Sequence, residues 1–331
     1  MVCNLIRIQN PESSSRGPVL LVHGAGVRAQ IFSAPTEMNF VRYLGEQGYD
    51  IWLENWRASI DLPFNTWTLD QAALYDHPYA VRKVIECTGA SSIPAVIHCQ
   101  GSTSFTMSLV AGLLPQVHTV VSNAVSLHTV VPWLSKAKLN FAVPSASLFI
   151  NHLNPQWGIK RSGFMPNFLT AVVELTHHEC DNGVCKQVSF AYGSGFPALW
   201  SHKNLNEATH EWLKQEFAQV PMSFFKQMAQ CVNAGHLVSL KQSDCDDKAK
   251  LPIDFTAEPP KTDARIAFFS GHDNLCFLPA SQRQSYEYFS RTRPDHSHYE
   301  IPGYGHLDMF MGEHAARDIF PLMVAELEKE K

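Results

Sequence analysis

A short apolar run that ends in a cysteine, followed two residues later by a glycine, constrains the fold of this chain most. Residues Ala95–Gly101 read Ala-Val-Ile-His-Cys-Gln-Gly. The pattern matches the G-x-S-x-G nucleophile elbow, with Cys99 at the serine position and Ile97 in place of the first glycine. The elbow holds its nucleophile in a strained, exposed turn between a strand and a helix, so small neighbours are needed. We therefore predict a strand before Cys99, a helix after it, and a nucleophilic thiol between them.

Buried strands alternate with helical segments on both sides of this turn. Strands are predicted at Pro18–Val22, Tyr49–Leu53, Pro94–His98, His118–Val125, Arg265–Ser270 and Ser297–Ile301. Helices are predicted at Glu37–Gln47, Trp67–Cys87, Ser102–Leu114, Pro279–Arg291 and Glu313–Glu328. Such alternation is typical of a parallel sheet with crossover helices on both faces. Together with the elbow, it predicts an α/β fold of the α/β-hydrolase type.

The alternation stops between residues 126 and 260, a segment rich in Phe, Trp, Met and Pro. A long insertion between two sheet strands is typical of a cap. Its aromatic residues indicate either an apolar substrate cavity or the cap's own core. We predict a hydrolase core formed by residues 1–125 and 261–331, with a mainly helical cap at residues 126–260.

Two loops beyond the cap supply the partners that a nucleophile needs. In this fold the acid follows the first strand after the cap, and the histidine follows the last strand. Asp273 ends the segment Ala-Phe-Phe-Ser-Gly-His-Asp, and His306 lies in the loop Gly-Tyr-Gly-His after the strand at 297–301. The order predicts a triad in which His306 is the general base for Cys99 and Asp273 orients it. Asp308 is the rival acid, but it lies close to His306 in sequence.

Further residues near these loops are candidates for binding. The backbone N–H groups of Ala25 and Gln100 are expected to form the oxyanion hole. Trp56 and Arg57 follow the end of a strand, where open α/β sheets bind ligands, although such an arginine often braces loops instead. The predicted substrate contacts are Gly26, Trp56, Arg57, His98 and Trp133.

A thiol paired with an imidazole can form an acyl-enzyme. The Cys99 thiolate would attack an acyl carbonyl and form a thioester. A thioester reacts with water, alcohols or amines, so the residues allow either hydrolysis of an ester, lactone or thioester, or acyl transfer and cyclisation. A catalytically inert ligand-binding protein, and lyase or isomerase chemistry on the same residues, are further alternatives.

Composition excludes several classes of protein. The net charge is −5 and charged residues make up 17% of the chain without a basic stripe, which disfavours nucleic acid as a partner. No apolar run reaches the roughly 18 residues of a membrane span, and Met1–Asn10 lacks the apolar stretch of a signal peptide. The eight cysteines are scattered through a large chain. They are therefore expected to be free thiols in the reducing cytoplasm.

One segment carries residue types that bind zinc. Residues 177–185 read His-His-Glu-Cys-Asp-Asn-Gly-Val-Cys. The Cys180-x4-Cys185 spacing, with adjacent His177 and His178, lacks the usual Cys-x2-Cys pattern. We interpret the segment as a local turn or stapled loop and expect no metal. The chain also lacks a dinucleotide fingerprint, so no cofactor is expected.

Several segments resemble one family. Residues 17–24, 49–59 and 98–102, together with 180–185, 205–210 and 274–279, are similar to α/β-hydrolases fused to, or encoded beside, cholesterol-oxidase-like flavoenzymes of the glucose–methanol–choline class. The strings Trp-Leu-x-Asn-x-Arg and Gly-His-Leu-Asp resemble, more distantly, gastric-type acid lipases, which carry serine at the elbow. Dienelactone hydrolases and polyhydroxyalkanoate synthases also have cysteine there.

The resemblance implies hydrolase-like activity on a hydrophobic, lipid-like acyl compound, in lipid or secondary metabolism. It also makes a separate flavin oxidoreductase a candidate partner in the same pathway. The first predicted strand begins soon after Met1. The leading hairpin common in this fold is therefore expected to be shortened or absent.

Overall fold

The computed structural model describes residues 2–8, 15–240 and 250–329. Residues 1, 9–14, 241–249 and 330–331 lie outside the described part, although they fall within the predicted core and cap ranges. The strands are β1 Asn4–Ile8, β2 Pro18–Val22, β3 Asp50–Asn55, β4 Ile93–His98, β5 Val117–Asn123, β6 His152–Leu153, β7 Val220–Pro221, β8 Arg265–Gly271 and β9 Ser297–Ile301.

Helices lie between and after these strands. The α-helices are α1 Phe40–Glu46, α2 Leu69–Gln71, α3 His77–Thr88, α4 Cys99–Val110, α5 Trp133–Ala137, α6 Val143–Ala146, α7 Phe164–Thr176, α8 Gly183–Tyr192, α9 Glu207–Trp212, α10 Met222–Ala234, α11 Pro279–Ser290, α12 Asp308–Met311, α13 Ala315–Asp318 and α14 Phe320–Glu328. None of these described helices is both long and apolar enough to cross a membrane.

Seven strands form the central sheet in the order β1-β3-β2-β4-β5-β8-β9. All pairs are parallel except the one at the edge, where β1 runs antiparallel to β3 with Ile8 opposite Ile51. Of the leading hairpin of the fold, the described residues contain one strand, β1. All six residues of the central strand β4 are buried, as expected for a strand covered on both faces.

The α/β architecture predicted from the sequence is confirmed, and the six predicted strands appear with limits shifted by at most two residues. Two predicted helices are interrupted. The segment predicted at Trp67–Cys87 consists of α2, a π-helical turn at Ala72–Asp76 and α3. The helix predicted at Glu313–Glu328 is broken into α13 and α14. Pro321 occupies the first turn of α14 and has no N–H to continue a helix from α13.

Between β5 and β8 the described elements are the helices α5–α10 and a two-stranded ribbon. The ribbon joins β6 to β7, with His152 opposite Pro221 and Leu153 opposite Val220. This mainly helical segment covers the carboxyl end of the sheet, where Cys99 lies. The cap limits at residues 126 and 260 stay a prediction.

Candidate active site

Cys99 begins α4 in a left-handed backbone conformation, with φ at 56°. Such a conformation is costly for a non-glycine residue and is maintained only where the surroundings impose it. The surroundings here are glycines. A Cβ on Gly101 would lie 2.1 Å from the His23 carbonyl oxygen, and a Cβ on Gly24 would lie 2.8 Å from the Cys99 Cβ. The turn between β4 and α4 therefore has the tight form that the elbow pattern predicts.

Two backbone donors face the Cys99 sulfur. The N–H groups of Ala25 and Gln100 both interact with Sγ and favour its charged form. Burial outweighs them and raises the pKa of the Cys99 thiol to about 12. The site therefore holds a neutral thiol beside the two N–H groups that the sequence assigns to an oxyanion hole. That assignment stays a prediction.

His306 lies beside this thiol. The Cys99 Sγ, one ring nitrogen of His306 and one ring nitrogen of His98 all lie within 4.8 Å of one another. The His306 Nε2 is buried and has no hydrogen-bond partner in the part of the chain that the structure describes. Burial lowers the pKa of His306 to about 3, so the imidazole is neutral at neutral pH.

The other ring nitrogen of His306 contacts an asparagine. Its Nδ1 lies 3.0 Å from the Asn274 Nδ2. The Asn274 Oδ1 accepts hydrogen bonds from the backbone N–H groups of Cys276 at 2.9 Å and Phe277 at 3.2 Å. Because two N–H groups require an oxygen, the amide orientation is fixed and Nδ2 donates to Nδ1. The neutral His306 therefore carries its proton on Nε2, toward the active site.

Asp273 does not take the position predicted for the triad acid. Its side chain is exposed, and its backbone N–H donates to the Tyr304 carbonyl. The turn after β8 instead buries the next residue, Asn274, whose N–H closes the turn onto the Gly271 carbonyl. The third position beside His306 is thus held by an amide and not by a carboxylate.

The rival acid Asp308 is buried but serves another purpose. Its carboxylate accepts hydrogen bonds from the Gly305 N–H at 2.7 Å, the Ser201 N–H at 3.1 Å and the Asn204 Nδ2 at 2.7 Å. Burial raises the pKa of Asp308 to about 6. The carboxylate ties the loop of His306 to the cap segment that contains Ser201 and Asn204.

His98, predicted to support the elbow and to touch substrate, is buried against His306. Their ring centroids lie 4.8 Å apart. The Asn123 Nδ2 bridges them, since it donates to the His98 Nδ1 at 2.9 Å and to the His306 carbonyl at 3.2 Å. Burial, aided by His306, holds the pKa of His98 well below its usual range. His98 is therefore a neutral ring that positions the His306 loop.

An apolar cavity of about 130 Å³ lies against these groups. Its wall includes Ala25, His98, Cys99, Gln100 and His306. The apolar cap residues that line it are Val131, Leu139, Ala142, Val143, Ala146, Leu153, Leu169, Phe190, Ala191, Tyr192, Leu199, Phe217, Met222, Phe224, Phe225 and Met228.

Among the described lining residues, one side chain, Lys138, belongs to the strongly basic or acidic types. Its Nζ donates to the carbonyls of Phe190 and Gly193, and burial lowers its pKa to about 8. The cavity is therefore suited to a hydrophobic ligand.

Two of the predicted substrate contacts are structural residues outside the cavity wall. Trp56 is fully buried, and its Nε1 donates to the His23 carbonyl at 2.9 Å. Arg57 forms a two-pronged ion pair with Asp76, with both contacts at 2.7 Å. Arg57 thus braces a loop. This was the alternative to substrate binding that its position after a strand also allowed.

The two other predicted contacts also lie away from the cavity wall. Gly26 has φ at 69° and donates its N–H to the Ala58 carbonyl, so it shapes the loop after β2. Trp133 lies at the start of α5 with 80% of its surface exposed. Asn274 and Lys138 were not predicted from the sequence. The Asn-x-Cys-Phe string, in which an asparagine can cap the following N–H groups, was the available signal for Asn274.

Comparisons with known proteins agree with this architecture. No family model matches the chain. The chain is 25% identical to sterol esterase 2 of Saccharomyces cerevisiae over 173 residues, which span 48% of this chain and 32% of the esterase. It is 21% identical to gastric triacylglycerol lipase of Rattus norvegicus over 97% of this chain and 83% of the lipase. It is 22% identical to human lipase member K over 94% and 79% of the two chains.

Solved structures show the same fold at low identity. A thermophilic esterase from Thermogutta terrifontis superposes with a TM-score of 0.58 at 12% identity, covering 99% of this chain and 93% of the esterase. A lipase-esterase related protein from Clostridium acetobutylicum gives a TM-score of 0.55 at 12% identity, covering 98% and 99% of the two chains. The chain has the α/β-hydrolase fold. The distant resemblance to lipases is confirmed, whereas the flavoenzyme association stays a prediction.

Proposed function

We propose that this protein is a hydrolase of hydrophobic esters, lactones or thioesters that works through an acyl-Cys99 intermediate. One observation carries the proposal. The Cys99 sulfur lies against the N–H groups of Ala25 and Gln100 and within 4.8 Å of a His306 nitrogen, at the wall of an apolar cavity. The names of the relatives, a sterol esterase and triacylglycerol and other lipases, support a lipid-type ester as substrate.

In the proposed reaction the Cys99 thiol gives its proton to His306, and Sγ forms a bond to the acyl carbon. The carbonyl oxygen takes the electron pair and is stabilised by the N–H groups of Ala25 and Gln100. His306 returns the proton to the leaving alcohol or thiol as the acyl bond breaks. Water then attacks the thioester with His306 as base, which releases the acid and restores the thiol.

Asn274 slows the first of these steps. To accept the thiol proton at Nε2, His306 must first carry its own proton on Nδ1, and Asn274 must then present Oδ1. This rotation breaks the two bonds that Oδ1 accepts from Cys276 and Phe277. At about 0.5–1.5 kcal/mol for each bond, the competent arrangement costs roughly 1–3 kcal/mol. We therefore propose an enzyme whose acylation is slowed roughly 5- to 150-fold by this rotation alone.

Apolar side chains on both faces of the cap favour a hydrophobic substrate. The helices α5 and α7 and the segment between them line the cavity on one side and expose apolar side chains on the other. The inner residues are Ser135, Leu139 and Leu169. The exposed ones are Trp133, Phe141, Phe149 and Phe164, each with 73–81% of its surface accessible. An alcohol or amine as acyl acceptor, instead of water, is the alternative fate of the same thioester.

The Asn274 geometry also favours a second candidate. If Asn274 does not rotate, the neutral thiol beside an imidazole protonated on Nε2 stays unreactive, and the apolar cavity would bind a ligand without turnover. This ligand-binding protein would serve an oxidoreductase as an accessory. In either case the cytoplasm, where Cys99 stays reduced, is our proposed location, and a flavin oxidoreductase remains the candidate partner.

Intact-protein mass spectrometry after brief exposure to p-nitrophenyl octanoate separates the two candidates. The hydrolase predicts one acyl adduct at Cys99 that decays in buffer, is absent in Cys99→Ala and forms more slowly in His306→Ala. Cys87→Ser removes an exposed thiol elsewhere and should leave the adduct unchanged. An adduct that decays only with added alcohol or amine indicates acyl transfer. No adduct at Cys99, with the octanoate ester still bound, would overturn the proposal in favour of ligand binding.

A further inference from the structure

Four potential metal ligands converge in the cap, away from Cys99. The sulfur atoms of Cys180 and Cys185 and one ring nitrogen each of His202 and His210 all lie within 4.8 Å of one another. The Cys185 Sγ lies 3.3 Å from the His202 Nε2, and the rings of His202 and His210 have centroids 4.9 Å apart. Both cysteines are free thiols.

The backbone around the cluster is built to hold these four side chains together. The Asn182 Oδ1 caps α8 by accepting the N–H groups of Val184 and Cys185, both at 3.1 Å. The Asn182 Nδ2 donates to the His210 carbonyl at 2.7 Å. One asparagine thus ties the loop of Cys180 and the first turn of α8 to α9, which carries His210. The convergence is therefore a property of the fold and does not depend on side-chain rotamers alone.

One atom of the cluster lacks a partner. The His210 Nε2 is buried and, within the described ranges, accepts or donates no hydrogen bond. Folded proteins rarely leave such an atom unsatisfied. A metal ion between the four side chains would satisfy it. Cys185 is buried and Cys180, His202 and His210 are half-buried, so the ion would be shielded from solvent.

We propose that Cys180, Cys185, His202 and His210 bind one Zn²⁺ ion in a closed tetrahedral site. Two thiolates and two imidazoles form a ligand set typical of structural zinc. Zn–S distances of about 2.3 Å and Zn–N distances of about 2.0–2.1 Å place neighbouring ligand atoms roughly 3.3–3.8 Å apart. The 3.3 Å contact between Cys185 and His202 already fits, and all other pairs of ligand atoms lie within 4.8 Å of one another.

Zinc binds cysteine as the thiolate, so a bound Zn²⁺ would deprotonate both thiols. All four positions around the ion are filled by protein, so the site leaves none open for substrate. The ion would therefore stabilise the cap.

The histidines in the sequence motif are not the ones that the structure brings to the cysteines. His178 is exposed, with its Nε2 3.1 Å from the Leu175 carbonyl, and His177 packs against Phe190 and Phe196. The local spacing predicted a turn without metal, because the two other ligands lie 17 and 25 residues beyond Cys185 in the chain. His178 is consequently a matched control.

The zinc site would also steady the loop of His306. The segment after α8 that carries His202 contacts that loop through Leu199, whose carbonyl accepts the His306 N–H at 2.9 Å and the Leu307 N–H at 2.8 Å. Ser201 and Asn204, on either side of His202, both donate to Asp308. Metal loss is therefore expected to loosen the His306 loop, whatever reaction the protein catalyses.

Metal analysis of the full-length protein, purified without chelators, tests the site. We expect about one zinc per chain, several-fold less in Cys185→Ser and His210→Gln, and an unchanged content in His178→Gln and Cys87→Ser. His210→Cys keeps four ligands and should retain the metal, which separates ligation from loss of folding. Cobalt substitution should add sulfur-to-cobalt charge-transfer absorption that disappears in Cys185→Ser.

Two results would overturn the proposal. One is wild-type protein, refolded or dialysed with zinc, that binds no stoichiometric metal, with Cys180 and Cys185 joined in a disulfide in unreduced peptide maps. The other is zinc that stays at the wild-type level in both Cys185→Ser and His210→Gln. Neither readout depends on acyl chemistry at Cys99, so failure of the zinc site and failure of the proposed function are distinguishable.

Discussion

Replacing Asn274 by aspartate should activate Cys99. The two side chains have nearly the same shape. One carboxylate oxygen can keep the hydrogen bonds from the N–H groups of Cys276 and Phe277, while the other replaces Nδ2 at 3.0 Å from the His306 Nδ1. A carboxylate accepts where the amide donates, so Asn274→Asp moves the His306 proton to Nδ1 and frees Nε2 to accept the thiol proton.

The gain has two parts. The variant no longer needs the rotation that costs roughly 1–3 kcal/mol in the wild type. The carboxylate also stabilises the imidazolium that forms, through a charge-assisted hydrogen bond of about 1.5–3 kcal/mol. Together these give roughly 10²- to 10⁴-fold faster reaction of Cys99, since each 1.36 kcal/mol is a factor of ten. Burial of the new carboxylate opposes part of this gain.

The assay is the second-order rate of Cys99 alkylation by iodoacetamide between pH 5 and 9, followed by peptide mass spectrometry. Asn274→Asp should react faster and should shift the pH profile toward lower pH. Asp273→Asn changes the neighbouring exposed carboxylate and should leave the rate within about twofold of the wild type. No acceleration in Asn274→Asp would show that the orientation of the His306 proton does not limit the reactivity of Cys99. A large loss in Asp273→Asn would make Asp273 the functional acid.

Three further predictions address stability and binding. Burial lowers the pKa of His23 and His306 to about 3 and that of His98 well below its usual range, so the unfolded chain binds more protons below pH 6.5. Stability is therefore fully present above pH 6.5 and is lost as the pH falls, by roughly 2–3 kcal/mol at pH 4.5 for each of His23 and His306. A urea midpoint that stays constant from pH 7 to 4.5 would contradict this. Arg57→Ala breaks a buried ion pair and should lower the free energy of unfolding by about 3–5 kcal/mol, while the folded fraction keeps the KM of the wild type. Trp133→Ala removes an exposed side chain outside the cavity wall, so kcat/KM for a monomeric ester should stay within about twofold of the wild type. A tenfold rise in KM would instead show that Trp133 contacts the substrate.

The elbow and the sheet were predictable because their signals are local. Buried parallel strands appear as short apolar runs, and the turn at Cys99 needs Gly101, because a Cβ there would collide with the His23 carbonyl. The choice between Asp273 and Asn274 was not predictable in this way. Both follow β8, and the turn that contains them is held by a tertiary contact, the hydrogen bond from the Asp273 N–H to the Tyr304 carbonyl, which no local pattern indicates.

The cap was the least predictable part, for a related physical reason. Its aromatic residues include both cavity walls, such as Phe224, and side chains exposed to solvent, such as Phe164. Amino-acid composition does not distinguish the two groups, because both consist of aromatic residues. The approach of His202 and His210 to Cys185 similarly depends on how α8 and α9 pack, since no fixed sequence spacing relates them.

A cysteine at position 99 and an asparagine beside His306 are energetically compatible. Even with its pKa raised to about 12 by burial, the Cys99 thiol is more acidic and more nucleophilic than a serine hydroxyl, so it needs less help from a general base. An asparagine at position 274, which does not stabilise an imidazolium without rotating, is therefore compatible with Cys99 but not with a serine there. Cys99→Ser should be inactive in the wild-type background, and Cys99→Ser with Asn274→Asp should recover ester hydrolysis. If both serine variants are equally inactive while Asn274→Asp alone is fast, the orientation of His306 is not what limits the hydroxyl. The position of the Ala25 and Gln100 N–H groups would then be the limiting feature.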